Sequence, residues 1–301
     1  MPLVEVFDKL GNNLKLEYLD GVFFPRLPLT DDLETHLDHI RDLHIRDDDV
    51  MICAYPKCGT HWVWEMVQML RAGRVTYDAR AKEALMIDFM PKVTLDALPS
   101  PRTLNTHLLF HLLPKQVAQK KTKIILLNRD PRDVAVSWYN HFKGLKQIAA
   151  YSGDFADFLP LFLHGTVAFG SWFEFTKGWE RVTEQGPDLP VLSLYYEDMK
   201  KNPVETVRQL AKFLEVAVSD ELCADIAKAC DFDQLKAAHT REKTDPLQFT
   251  WREDHPGIYR KGKTGDWKNW FTVAQLEQFD KFYSSSMAST KVFNKYVTGT
   301  S

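Results

Sequence analysis

Tyr55-Pro56-Lys57-Cys58-Gly59-Thr60-His61-Trp62 is the stretch that decides the fold. The apolar run Val50-Met51-Ile52-Cys53-Ala54 precedes it and reads as a buried strand. After it, Val63, Met66, Val67 and Leu70 recur at helical spacing through Trp62 to Arg71, and Gly73 supplies a C-terminal stop. A strand, a tight loop with Lys and Gly, and a helix start make an anion site. The first backbone N–H groups of a helix have no intrahelical partner, and the dipole favours negative charge there. Lys57 adds a full charge, so the pattern points to chemistry on a phosphate-like group. The nucleotide-triphosphate loop G-x-x-x-x-G-K-[ST] does not fit, because Lys57 precedes Gly59. The dinucleotide pattern G-x-G-x-x-G fails too, since the loop holds a single Gly. Taken alone, the stretch also reads as a generic strand-turn-helix.

Two further units repeat the design. Lys123-Ile124-Ile125-Leu126-Leu127 is a buried strand that ends at Asn128-Arg129. Asp130 is a favoured N-cap and Pro131 a favoured first helical residue, and the helix runs on to Gly144. Pro190 to Tyr196 is a third strand. Asn202-Pro203 then caps a helix with Glu205 at the capping-box position, and Val207, Leu210, Ala211 and Leu214 form its buried face. Alternating strands and helices predict an α/β fold, a mainly parallel central sheet flanked by helices. Ligands of such sheets sit at the carboxyl ends of strands, where Lys57, Arg129 and Tyr196 all fall.

The 301 residues, 45% of them hydrophobic, suffice for one large core, and no linker, repeat or low-complexity segment divides them; residues 1–301 read as a single domain. No apolar stretch reaches the roughly 20 residues that span a bilayer, and the N-terminus lacks a basic region followed by an apolar one. A cytoplasmic protein with no membrane partner is expected. A net charge of −3 argues against nucleic acid, and a polyanionic ligand would require a local basic cluster. Cys53, Cys58, Cys223 and Cys230 form no C-x-x-C pair and read as reduced thiols. Cys58, in the anion loop, has two readings: a thiol of lowered pKa, or a small side chain that does not crowd the ligand.

The anion loop resembles the 5′-phosphosulfate loop of the cytosolic sulfotransferases, Y-P-K-x-G-T-x-W. The likeness extends along the chain in order. Leu104-Asn105-Thr106-His107-Leu108 matches the region that carries that family's base. Arg129-Asp130-Pro131-Arg132-Asp133-Val134-Ala135-Val136-Ser137 matches its 3′-phosphate segment. Tyr195-Tyr196-Glu197-Asp198-Met199 matches a strand end that offers Tyr to the same phosphate. Arg260-Lys261-Gly262 with Gly265-Asp266-Trp267 matches its C-terminal motif. The resemblance implies a P-loop-like sulfotransferase fold and a donor, 3′-phosphoadenosine 5′-phosphosulfate (PAPS), whose sulfuryl group passes in line to a hydroxyl or amine. It implies His107 as general base, Lys57 and the N–H groups of Cys58, Gly59, Thr60 and His61 around the phosphosulfate, and Arg129, Ser137, Tyr196, Arg260, Lys261 and Gly262 around the 3′-phosphate. Trp62 and Phe232 would sandwich the adenine.

Each residue has a plainer reading. His107 serves equally as a hydrogen-bonded core histidine, Trp62 as packing, Arg260-Lys261 as a solvated pair, and Ser137 as a residue bonded within its helix. His107 and His111 are four apart, but no third ligand completes a metal motif, so no metal is expected. Asn105 stands where many members of the family have Lys; it can donate a hydrogen bond but carries no charge, which weakens stabilisation there or shares it with Lys57. His61 stands where Thr is frequent, and Leu109 where Pro is.

The acceptor is less legible. By position, Phe23, Phe24, Met86, Phe89 and His141 are candidates for a pocket suited to a flat or adaptable apolar ligand, or are ordinary core. Ala238 to Tyr259 reads as a polar, irregular loop and a candidate lid. Lys268, Thr272, Val273 and Glu277 match the family's short dimer motif, which implies a weak homodimer; Thr272 with Gln275 is also a plain capping box. Two alternatives stay open. A P-loop-type small-molecule kinase shares the strand-loop-helix logic but lacks the Lys57-Gly59 order and requires Mg²⁺. A non-catalytic bisphosphate-nucleotide-binding protein would keep Lys57, Arg129 and Arg260 without depending on His107.

Overall fold

A four-stranded parallel sheet carries the site. Its strands are β4 (Val50–Ala54), β5 (Thr103–Thr106), β6 (Lys123–Asn128) and β7 (Val191–Tyr195), in the order β5-β4-β6-β7. The computed structural model describes residues 3–26, 31–146, 151–242 and 251–291. Every residue of β4 is buried, as expected of a strand covered on both faces and paired on both edges. Ile52 lies opposite Asn105 on one side and Ile125 on the other. The chain passes from β4 to β5 on one side and then to β6 on the other. The strand order therefore reverses at β4, and a crevice opens beyond its carboxyl end.

The helices are α1 (Leu33–Arg41), α2 (Thr60–Ala72), α3 (Lys92–Ala97), α4 (Lys115–Gln119), α5 (Pro131–Gly144), α6 (Phe155–Leu163), α7 (Trp172–Gln185), α8 (Tyr196–Lys201), α9 (Pro203–Leu214), α10 (Asp220–Ala229), α11 (Phe232–Glu242) and α12 (Val273–Ser286). The expected signals operate where they are local. In α2, Val63, Met66, Val67 and Leu70 are buried, and beyond its last turn Gly73 and Arg74 donate to Leu70 and Met69 carbonyls. Asp130 accepts from Arg132 N at 2.9 Å and Pro131 opens α5. Thr272 and Gln275 close a full capping box at the start of α12.

Two expectations are corrected. The Glu205 capping box does not form, because Asn202 is both the C-cap of α8 and the N-cap of α9 and makes no side-chain cap bond. The segment from Ala238 is not irregular at its start: α11 continues to Glu242, and residues 243–250 of the candidate lid lie outside the described residues. One element was not foreseen. β1 (Val4–Phe7), β2 (Asn13–Leu19) and β3 (Val22–Pro25) form a separate antiparallel sheet. Its signal is present in the sequence: Asp20-Gly21, both at positive φ, is a two-residue hairpin loop. Leu14 and Leu16 alternate inward on β2, as do Val22 and Phe24 on β3. Among the described residues, no helix is long and apolar enough to cross a membrane.

Candidate active site

The loop after β4 leads by a sharp turn into the N-terminus of α2. Lys57 and Gly59 both take positive φ, 71° and 99°, which turns the chain sharply into α2. A Cβ on Gly59 would lie 3.0 Å from the Tyr196 ring. Tyr196, the first residue of α8 just past β7, is thus packed directly against the loop. Arg129, at the end of β6, locks the same corner: its Nη1 donates to Lys57 O at 2.9 Å, and its guanidinium lies 4.3 Å from the Tyr196 ring centre. Arg129 Nε is buried and has no partner among the described residues, so one donor of a nearly buried cation is left for a ligand.

His107 sits just past β5. Its Nδ1 is 2.8 Å from Ala54 O at the end of β4. A carbonyl only accepts, so Nδ1 carries the proton and Nε2 is the unprotonated nitrogen. Burial, and next the nearby Lys82 ammonium, push the imidazole down to about 3. Asp88 sets the backbone here, accepting from Thr106 Oγ1 at 2.9 Å and from His107 N at 3.0 Å; burial raises its own carboxyl to about 7. Phe169 packs edge-on to the His107 ring at 5.1 Å. On the other side of the crevice, Lys57 Nζ donates to His141 Nδ1 at 3.2 Å. Burial, then Lys57, keep His141 neutral, its pKa well below the ordinary value.

The C-terminal motif is docked onto α5. Asp133 accepts from Gly265 N and Trp267 N at 2.6 and 2.9 Å, and Arg132 lies 4.1 Å over the Trp267 ring. Asp266 then holds Arg260 at 2.7 Å and Lys261 at 2.8 Å. Burial opposes ionisation of Asp266, but bonds from Lys261 and Arg260 outweigh it and hold the carboxyl at about 2. Gly262 runs so close to Phe232 that a Cβ would meet its ring at 2.1 Å.

These pieces enclose one cavity of about 820 Å³. Of the residues expected around the anion, Lys57, Gly59, Thr60, His61, Trp62, His107, Arg129, Ser137, Tyr196, Phe232, Arg260, Lys261 and Gly262 all line it. Of the acceptor candidates, Met86, Phe89 and His141 do. Among the described residues, eight lysines and arginines line the cavity against one acid, Glu83, in a chain whose net charge is −3. The local basic cluster that a polyanion requires is present.

Four expectations are corrected. Cys58 is 1% exposed and does not line the cavity, and burial pushes its thiol up rather than down. Asn105 is fully buried and also absent from the lining; its amide is bonded to Lys82. Phe24 is core at 1% exposure, because alternation along β3 turns it inward. Phe23 faces a separate cavity of about 580 Å³ bounded by β2, β3 and the Phe169 segment. Sequence reasoning missed Lys82, Glu83, Trp138, Phe169 and Tyr259, which are also among the lining residues. Lys82-Glu83 gives no signal in sequence, since it reads as a solvated pair. Among the described residues, no three His, Cys, Asp or Glu side chains gather to hold a metal.

The comparisons agree with this geometry. The family model of the sulfotransferase domain matches residues 47–291. Sulfotransferase 1B1 of the dog (Canis lupus familiaris) is 36% identical over 294 residues, covering 94% of this chain and 96% of that protein. Human sulfotransferase 1C2 is 31% identical, with the same coverage of each chain. Among solved structures, mouse sulfotransferase SULT7A1 complexed with PAP superposes with a TM-score of 0.75 at 30% identity, covering 92% of this chain and 95% of that one. Identity of about a third, sustained over nearly the full length of both partners and joined to a shared fold, places this chain in the sulfotransferase family.

Proposed function

We propose that this protein moves the sulfuryl group of PAPS to a hydroxyl, or an amine, of a small and largely apolar acceptor, with His107 as general base. The observation that carries the reading is the bond from His107 Nδ1 to Ala54 O. It leaves Nε2 as the basic nitrogen in the cavity that Lys57 also lines. The donor's remaining charges are matched by the unpartnered Arg129 Nε and by Arg260 and Lys261. Trp62 and Phe232 line the adenine end, and the close approach at Gly262 keeps Phe232 in place. The PAP complex of the mouse relative supports this cofactor class.

PAPS supplies the transferable sulfuryl group. His107 Nε2 takes the proton of the acceptor O–H as the new S–O bond forms, and the old S–O bond breaks toward the departing 5′-phosphate, which keeps the electron pair. Lys57 and the N–H groups at the start of α2 meet the charge that develops on that phosphate. A pKa near 3 keeps the His107 ring neutral and its Nε2 unprotonated at rest. An anionic donor beside it raises its proton affinity when the base is required. Met86, Phe89 and Phe169 give the acceptor end an apolar wall.

The same proposal covers the whole chain as one domain, a cytosolic location, and a weak homodimer through Lys268, Thr272, Val273 and Glu277. Val273 is 76% exposed, which leaves an apolar side chain free to meet its copy across a two-fold axis.

The test is PAPS-dependent sulfation of a panel of phenols, alcohols, steroids and amines by the wild type and by His107→Ala. The variant is expected to lose kcat by about 10²–10⁴-fold while PAP affinity holds. A kcat within about fivefold of wild type would remove His107 from the mechanism.

A further inference from the structure

Lys82 is a buried lysine in the active-site cavity that the reaction above leaves unused. It opens a single 3₁₀ turn, Lys82–Leu85, and is 3% exposed. Lysine is buried only where its ammonium is matched. Here Nζ reaches Asn105 Oδ1 at 3.1 Å, Glu83 Oε1 at 3.2 Å and Met86 Sδ at 3.5 Å. Asn105 grips the residue twice, because its Nδ2 also donates to Lys82 O at 2.9 Å. The turn is then stitched along the edge of β5: Met86 bridges to Asn105, and Ile87 N donates to Asn105 O at 3.0 Å. The ammonium is thus fixed in position by the strand that delivers His107 two residues later. Lys82, Lys57 and His107 line the same cavity.

The surrounding charge does not cancel the ammonium at His107. Glu83 Oε1 meets both Lys82 Nζ and His61 Nε2, each at 3.2 Å. Burial alone would raise Glu83, but Lys82 and His61 hold it far below the usual carboxylate range. Of these two charges, Lys82 acts on the His107 ring more strongly than Glu83 does.

We propose that Lys82 is the second cation of the transfer site. Lys57 serves the phosphate side, and Lys82 stabilises negative charge on the group in transit beside His107, with Asn105 as the tether that holds it. The charge absent at position 105 is supplied from a different segment. The inference rests on the sulfotransferase reading above and names a further residue of that same site.

The test pairs Lys82→Met, which keeps the alkyl stem, with the double variant Lys82→Met/Asn105→Lys, which returns a charge from the strand. Three readouts are taken: kcat with PAPS, PAP affinity by calorimetry, and the His107 titration by NMR. Lys82→Met is expected to lose kcat by roughly 100-fold with PAP affinity within about threefold, and the double variant to recover at least about tenfold. The His107 pKa should rise in Lys82→Met, because a like charge has been removed. A kcat within about threefold of wild type, a fall in PAP affinity as large as the fall in rate, or an unmoved His107 titration would each overturn the assignment. If the wild type itself transfers no sulfuryl group, the parent reading fails, and the NMR shift still decides whether Lys82 acts electrically on His107.

Discussion

Replacing Gly262 with alanine tests the adenine end of the site through a single methyl group. Gly262 has φ of 63°, in the left-handed region. An L-residue there costs roughly 1–2 kcal/mol, which for a chain of this size lowers Tm by a few degrees. The second effect is local. The added Cβ would lie 2.1 Å from Phe232 Cδ2 and 2.5 Å from its Cγ. To reach ordinary contact near 3.5 Å, the ring must retreat by more than about 1 Å. Stacking of a base on an aromatic side chain is worth about 1–3 kcal/mol, so loss of the ring's position should weaken PAP binding by roughly 5- to 150-fold. Calorimetric titration with PAP reads this directly. Phe232→Ala should give a similar loss, and the double variant little more than either alone, because both act through one ring. An unchanged PAP Kd in Gly262→Ala, with the protein folded, would refute the placement of Phe232 at the base.

Two further outcomes follow from burial and exposure. His107 is held neutral when folded, at about 3, whereas an unfolded histidine binds its proton near pH 6.5. Below about pH 6.5 the unfolded state therefore takes up the extra proton, and stability falls as pH falls. The wild type should lose about 1.4 kcal/mol per pH unit more than His107→Gln between roughly pH 6 and 4, measured by urea unfolding. Asp88 and Glu197, raised to about 7 by burial, are common to both proteins and cancel in the difference; parallel profiles would contradict the buried, neutral state. Val273→Glu should leave the fold intact, because the position is exposed and opens α12, where an acid suits the helix dipole. It should nevertheless convert a dimer to a monomer in light scattering while activity survives, and a persistent dimer would exclude this segment as the interface.

The sequence by itself determined what is written in short-range signals. The run Val50–Ala54 and the helical spacing of Val63, Met66, Val67 and Leu70 fix a strand and a helix. Tyr55 to Gly59 forms the loop between them, and Asp130-Pro131 and Thr272-Gln275 fix where helices begin. Those signals are local because capping and periodicity act within a few residues. The signal for the antiparallel hairpin at Asp20-Gly21 is equally local. Only the tertiary structure decided which candidates share a surface. The order β5-β4-β6-β7 brings His107, Lys57 and Arg129 to one crevice, and the same packing turns Cys58, Asn105 and Phe24 away from it. Lys82 marks the limit most clearly. A buried lysine and a solvated one are the same letter, and what separates them is a carboxamide 23 residues later that grips the ammonium and the backbone carbonyl together. Burial of a charge depends on partners that chain folding assembles, so neither composition nor spacing carries it.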